Sequence, residues 1–347
     1  MSSPVLSIRG LTTEFVTPGG VVKAVNDVSW DLYPGETLGV VGESGSGKSV
    51  TAMSILGLVP SPPGRVVAGE ILFEDRDLLK MPAKELRRLR GSEIGMIFQD
   101  PMTSLNPVLT VGSQITETLR LHDRTLSRAQ ARVRAIELLG MVGVPNPEGR
   151  YDQYPHEHSG GMRQRAMIAM AIANDPKVLI ADEPTTALDV TIQAQVLDVL
   201  KTAQQRTNAA TILITHDLGL IAEHADRVIV MYGGKVVEVA DVYSLFSAPR
   251  HPYTLGLMSS LPRLDVDLDR LDPIPGSPPN LVDLPSGCSF RPRCRVTRGR
   301  EVCATTVPPL YDTGPGKGAA CHFSEEVPAE MVTVSREMGA RLGSTGA

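Results

Sequence analysis

The sequence predicts an α/β fold with a parallel sheet at its core, and three observations carry that prediction. Two short apolar runs, PKVLIADEP and ATILITHD, are unbroken by polar residues, as strands buried on both faces are. TLGVVGESGSGKSVTAMSILGLV passes from an apolar strand through a glycine-rich loop into a helical pattern. Residues 107–150 carry Leu, Ile and Val at three- and four-residue spacing, which predicts helices.

The other elements follow in order. VLSIRGLTTEF and VVKAVNDVSWDL alternate apolar and polar residues on either side of TPGG, so they read as strands joined by a turn. EIGMIFQD is a short strand ending in polar residues, and SGGMRQRAMIAMAIAND opens a long helix. DRVIVMYGGKVVEVA reads as a hairpin turning at Gly-Gly. Composition changes near residue 246. Of 27 prolines, 12 lie from Pro249 to Pro315, which makes the tail loop-rich, with LPRLDVDLDRLDPIPGSPPN as a linker or extended arm. The chain thus divides into a domain over 5–245, with a helical subdomain at about 100–157, and an extension over 246–347 whose last ~20 residues are expected to be flexible. No internal repeat is present, so a machine needing two such domains needs a second chain.

Bulk properties narrow the function. The 347 residues are 42% hydrophobic and 21% charged, ordinary for a globular protein. No apolar run approaches the roughly 18 residues that span a bilayer. MSSPVLSIRG lacks a basic start followed by an apolar stretch, so a cytoplasmic location is expected. A net charge of −5 disfavours a dedicated nucleic-acid binder. Four cysteines, Cys288, Cys294, Cys303 and Cys321, all fall in the tail. In a cytosolic protein such a group points to metal, cluster or redox chemistry rather than disulfides.

Gly42 to Ser49, GESGSGKS, match the phosphate-loop pattern between a strand and a helix. Gly42, Gly45 and Gly47 let the backbone wrap so that amides face phosphate oxygens. Lys48 supplies a point charge for the β- and γ-phosphates, and the Ser49 hydroxyl is a ligand for Mg²⁺. Glu43, Ser44, Ser46 and Val50 complete the expected ATP-contacting stretch. Asp182 and Glu183 end an apolar strand. Asp182 suits Mg²⁺, and Glu183 suits a general base that polarises the attacking water. Ser159, Gly160 and Gly161 form a second glycine turn at a helix start, a further anion cradle. One nucleotide needs one cradle, so the second implies a nucleotide shared with a partner chain.

At this point the sequence resembles the ABC ATPase family, whose signature is usually LSGGQ. Here it reads HSGGM, with His158 and Met162 departing from the pattern, followed by the matching RQR of Arg163 to Arg165. The departures imply a less active signature half with function retained. The resemblance implies an ABC-type fold: a parallel-sheet core, an antiparallel β subdomain, a helical subdomain and a small C-terminal extension. It makes Gln99 the residue that touches Mg²⁺ and the transmembrane subunits. It places Asp189 at the dimer interface, His216 at the γ-phosphate and Phe15 against adenine.

Longer strings, among them GMIFQDPMTSLNPVLTVGSQI, HPYTLGLMSSLP and PIPGSPPNLVDLPSGCSFRPRC, are similar to the ATPase subunits of oligopeptide and dipeptide importers, with nickel importers as relatives. The resemblance implies two permease subunits, an extracytoplasmic solute-binding protein acting indirectly, and placement at the cytoplasmic membrane face. SVTAM implies a related ATPase as partner in a heterodimer. Similar tails implicate a [4Fe-4S] cluster on the C-x5-C-x8-C-x17-C spacing; zinc or unligated thiols are the alternatives. Against transport stand two rivals, a non-transport ABC ATPase of DNA repair or translation and a subunit that binds ATP without useful hydrolysis. The single domain disfavours the first, and Glu183 with His216 disfavours the second.

Overall fold

The computed structural model describes residues 3–100, 104–186, 189–260 and 274–329. The end expected to be flexible, from residue 330, and residues 261–273 of the arm lie outside the described residues. Among the described residues twelve strands run in chain order: β1 (Leu6–Thr17), β2 (Gly20–Leu32), β3 (Thr37–Val41), β4 (Gly64–Phe73), β5 (Arg76–Asp77), β6 (Ile94–Ile97), β7 (Val178–Asp182), β8 (Ala210–Thr215), β9 (Arg227–Tyr232), β10 (Lys235–Asp241), β11 (Tyr311–Gly314) and β12 (Lys317–Ala319). They form an antiparallel sheet of order β2-β1-β4-β5 and a larger sheet of order β11-β12-β10-β9-β3-β8-β7-β6.

Within the larger sheet, β9, β3, β8, β7 and β6 pair in parallel. Every residue of β3, β7 and β8 is buried, and alternate side chains feed opposite cores. Leu38, Val40, Ile180, Ile212 and Ile214 pack with Leu6, Ile8, Val28, Trp30 and Phe73 of the antiparallel sheet. Leu179, Ala181 and Leu213 face a helical layer instead, through Ile168, Ala169, Val196 and Leu197. That second core continues without a break into Val111, Ile115, Ala135, Leu138 and Leu139, on helices Val111–His122 and Arg128–Met141. Thr110 and Ser127 cap those helices, Ser127 in a reciprocal box with Gln130. The Gly-Gly hairpin forms between β9 and β10, with Gly233 and Gly234 at φ 58° and 79°.

The register puts chemistry at one edge. Val41 lies opposite Thr215, and Asp182 opposite Ile214, so β3, β8 and β7 end side by side. In a parallel sheet the residues that follow those ends share one crevice.

The tail reads as loop-rich, but it also extends the main sheet. Glu238 of β10 pairs with Ala319, and Val239 with Gly318, while β11 pairs with β12. Strand β10 would otherwise present an unpaired backbone edge. A buried carboxylate reinforces the join. Glu238 accepts hydrogen bonds from the amides of Arg250 (2.6 Å) and His251 (2.9 Å) and from the Thr254 hydroxyl (2.5 Å). Burial pushes its pKa up to about 7, against the downward pull of those donors.

The raised value has a signed consequence. The protonated form is favoured by folding, so the contribution of Glu238 is full below its ordinary 4.5 and is lost as pH rises through about 7. Glu238→Gln should remove a pH-dependent loss on the order of 3 kcal/mol. Denaturant midpoints at pH 5 and pH 8 check this; equal slopes in both proteins would refute it.

Candidate nucleotide site

The loop after β3 is shaped by close backbone contact. Gly42 has φ 155° and Gly47 φ 105°. A Cβ on Gly42 would lie 2.2 Å from the Met231 carbonyl oxygen, and one on Gly47 2.4 Å from that of Ala24. Gly45, at φ 78°, has open space around it and needs glycine for its backbone angle alone. Ser44 and Gly45 form the exposed tip, Val50 is half-buried in the helix, and the buried Ser46 hydroxyl has no partner among the described residues. Helix Lys48–Ile55 starts here, and its first amides have no intrahelical acceptor.

Lys48 is buried and folds back over the loop. Its Nζ donates to the carbonyls of Gly42 (2.7 Å) and Glu43 (3.0 Å). Burial lowers its pKa, opposed by the charges of Glu183, Asp182 and Glu43. The Ser49 hydroxyl donates to Asp182 Oδ1 at 2.9 Å. Burial raises the Asp182 pKa; the Ser49 bond works against it, and neighbouring Glu183 adds to it. A buried carboxylate held up in this way, beside a hydroxyl oxygen, is a hard-oxygen pair that fits Mg²⁺.

Glu183 sits one residue past β7 at φ 46°, which turns its side chain off the strand line. Its amide donates to the Ile214 carbonyl at 2.9 Å. Oε2 accepts from Gln99 Nε2 (2.8 Å) and from the Thr186 hydroxyl (2.9 Å). Oε1 faces His216 Nδ1 at 3.6 Å, beyond hydrogen-bond range. One carboxylate oxygen is therefore fixed by two donors while the other stays open. His216 and Gln99 are exposed.

The second cradle lies on the surface. Ser159 is exposed and caps helix Gly160–Ala171, accepting from the Met162 amide at 3.3 Å. Gly161 approaches Ile192, so a Cβ there would meet a methyl at 2.9 Å. His158 is buried behind the turn, and burial lowers its pKa, so the ring is neutral at pH 7. Asp189 caps helix Val190–Thr207 by accepting from the Ile192 amide. Phe15 is half-buried on β1, opposite Val22 and Gly64.

Three contacts escaped the sequence reading. The Glu43 amide donates to the Tyr253 hydroxyl at 2.7 Å, so that amide faces the tail. The Glu43 carboxylate is clasped by Arg293. Thr186 holds Glu183. Thr186 has a local signal in its place just after the acidic pair, whereas Tyr253 and Arg293 lie in family-marking strings that do not point to Glu43.

The four cysteines, none disulfide-bonded, line one cavity of about 20 Å³ with His322 and Phe323. That volume holds a water-sized body. Among the described residues, no group of three or more His, Cys, Asp or Glu is arranged to hold a metal ion. Burial pushes Cys294 up to about 11 and Cys321 up to about 12. Beside Gln99 runs an apolar groove lined by Leu58, Phe98, Leu105, Leu109, Leu121 and Met170. Among the described residues, no helix is long and apolar enough to cross a membrane.

Known proteins share this plan. Residues 25–186 match the family described as "ABC transporter", and residues 237–303 the family "Oligopeptide/dipeptide transporter, C-terminal region". The dipeptide transport ATP-binding protein DppD of Bacillus subtilis (strain 168) is 54% identical over 290 residues, 84% of this chain and 86% of that one. The oligopeptide transport ATP-binding protein OppD of the same organism is 55% identical over 307 residues, 88% and 85% of the two chains. Among solved structures, a post-hydrolysis dimer of an ATP-binding cassette bound to ADP and Pi aligns with a TM-score of 0.62 at 27% identity. The alignment covers 68% of this chain and 98% of that one.

The contact at Gly47 is with backbone, which cannot move aside. Gly47→Ala should weaken MgATP binding at least about tenfold, because a strained φ and a carbonyl clash together exceed roughly 1.4 kcal/mol. Equilibrium binding of a fluorescent ATP analogue checks this, and wild-type affinity in the variant would refute it.

Proposed function

The chain belongs to the ABC transporter family, among the ATP-binding subunits of oligopeptide and dipeptide transporters, and from that premise we propose that it hydrolyses MgATP to drive peptide import through a permease on whose cytoplasmic face it sits. The observation that carries the proposal is the convergence of Lys48, the Ser49–Asp182 pair and Glu183 on one sheet edge. Import of peptides is supported by the printed roles of the relatives and by the matching C-terminal region.

Each side chain has a part. The loop amides and the start of helix Lys48–Ile55 face the phosphates. Lys48 leaves its two carbonyl partners for the β- and γ-oxygens, and its charge offsets what develops there. Ser49, Asp182 and Gln99 would hold Mg²⁺, which neutralises phosphate charge when bound. Glu183 takes a proton from water at Oε1, with Oε2 kept in place by Gln99 and Thr186. His216, exposed beside Glu183, is placed to donate to a γ-phosphate at the mouth of the crevice.

Hydrolysis would require a second ATPase domain. Exposed Ser159 and half-buried Gly160 and Gly161 form a turn at a helix start, suited to the γ-phosphate of a nucleotide held by the partner. A related ATPase, rather than a second copy, is the partner this reading favours. The permease would seat on the apolar groove beside Gln99, where Phe98, Leu109 and Leu121 are exposed, so occupancy of the nucleotide site reaches the membrane through one residue. Loss of the γ-phosphate breaks the contacts across the dimer and opens it.

Glu183→Gln should keep MgATP binding, lower turnover by at least about a hundredfold, and trap a closed, ATP-bound dimer visible by size-exclusion chromatography. Normal turnover would remove Glu183 as base. Co-expression with its neighbouring ATPase and permease subunits should yield a complex with two different ATPases; a homodimer on the permease would refute the heterodimer. For the cysteines, visible absorption and metal analysis of anaerobically purified protein separate bound iron, bound zinc and free thiols; among the described residues no group is arranged to hold a metal ion, which predicts free thiols.

A further inference from the structure

The phosphate loop is held from outside by the C-terminal segment, and all the grips converge on one residue. Arg293 donates to both oxygens of the Glu43 carboxylate, Nη1 to Oε2 at 2.6 Å and Nη2 to Oε1 at 2.9 Å. This fork is directional as well as strong. Arg293 is itself fixed: its side chain is 5% exposed, and its Nε donates to the Pro275 carbonyl at 2.9 Å. Its guanidinium lies 5.8 Å from the centre of the Tyr232 ring and 6.0 Å from that of Phe290. The second grip is the Tyr253 hydroxyl on the Glu43 amide. Tyr253 is wholly buried, its ring 4.7 Å from Tyr232 and 5.4 Å from Phe290.

The third polar group of Glu43, its carbonyl, accepts from Lys48 Nζ. One residue thus meets the tail through its amide and carboxylate and the site's lysine through its carbonyl. Without the two grips, Glu43 would be a half-exposed residue at a glycine-flanked turn. Its carboxylate would stand unneutralised beside the place where a triphosphate binds.

The geometry points to Arg293 and Tyr253 as positioning residues of the nucleotide site: by holding Glu43 they set the shape and charge of the phosphate loop, and so its affinity for MgATP. The tail is then part of the ATP site as well as a covering for the sheet edge. This rests on the loop being the nucleotide cradle, which Lys48→Ala tests separately.

The experiment uses the assembled full-length complex, with MgATP affinity, KM and kcat for ATP and thermal midpoint read on each variant. Tyr253→Phe removes one oxygen and leaves the ring packing, and should weaken MgATP binding about threefold. Arg293→Met should weaken it about tenfold, and Arg293→Lys, which keeps the charge without the fork, by less. The loss should fall on KM more than on kcat. Arg293→Met combined with Glu43→Gln should be no weaker than Arg293→Met alone, since both act through one contact. If Tyr253→Phe and Arg293→Met lower the thermal midpoint while MgATP affinity stays at the wild-type value, or if the double variant is additive, the proposal is wrong. Should Arg293→Met fail to fold, Tyr253→Phe decides alone. Equal MgATP binding by Lys48→Ala and wild type would instead remove the nucleotide reading of the loop.

Discussion

Three strands running the same way end at the same height, and the site is built on that alignment. With Val41 opposite Thr215 and Asp182 opposite Ile214, the residues just beyond each strand have to share one crevice. A one-residue slip of β7 would exchange the two cores its alternate side chains feed and carry Asp182 away from Ser49. The burial of β3, β7 and β8 on both faces fixes the register. Hydrophobic packing far from the phosphates therefore decides whether Ser49 and Asp182 lie 2.9 Å apart.

The electrostatics of the crevice depend on unmet need. Lys48 and Asp182 are both buried, and burial works against the charged form of each. Each is only partly compensated: Lys48 by two carbonyls and nearby carboxylates, Asp182 by one hydroxyl and the charge of Lys48. A site with fully satisfied charges would give a nucleotide little to improve. Under the proposed function, an incoming triphosphate with its cation would supply the missing counter-charges on both sides. Glu183 differs. Two donors fix one of its oxygens, and a backbone angle uncommon for a side-chain-bearing residue turns it out of the sheet.

Much of this is written locally in the sequence. The phosphate loop is legible because its glycines, lysine and serine are adjacent and the chemistry demands those types. The parallel strands are legible because double-sided burial leaves unbroken apolar runs. What escapes is long-range or compositionally faint. Tyr253 and Arg293 reach Glu43 across 210 and 250 residues, and the strings that contain them, HPYTLGLMSSLP and SGCSFRPRC, mark the family without pointing to that contact. Strands β11 and β12, YDTG and KGA, are too short and glycine-rich to show a period-two pattern; the open edge of β10 recruits them. The cysteine spacing correctly brings four thiols together, but spacing says nothing of the cavity between them, which packing makes small.

The clasp on Glu43 also orders events in time. A ribosome releases residues 42–49 early and Arg293 some 250 residues later, an interval of about ten to fifty seconds at ordinary elongation rates. Throughout it the nascent chain carries a complete phosphate-loop sequence whose anchors have not yet been made. The motor thus matures from its far end backwards, and a message cut short before codon 293 would encode an unlatched engine.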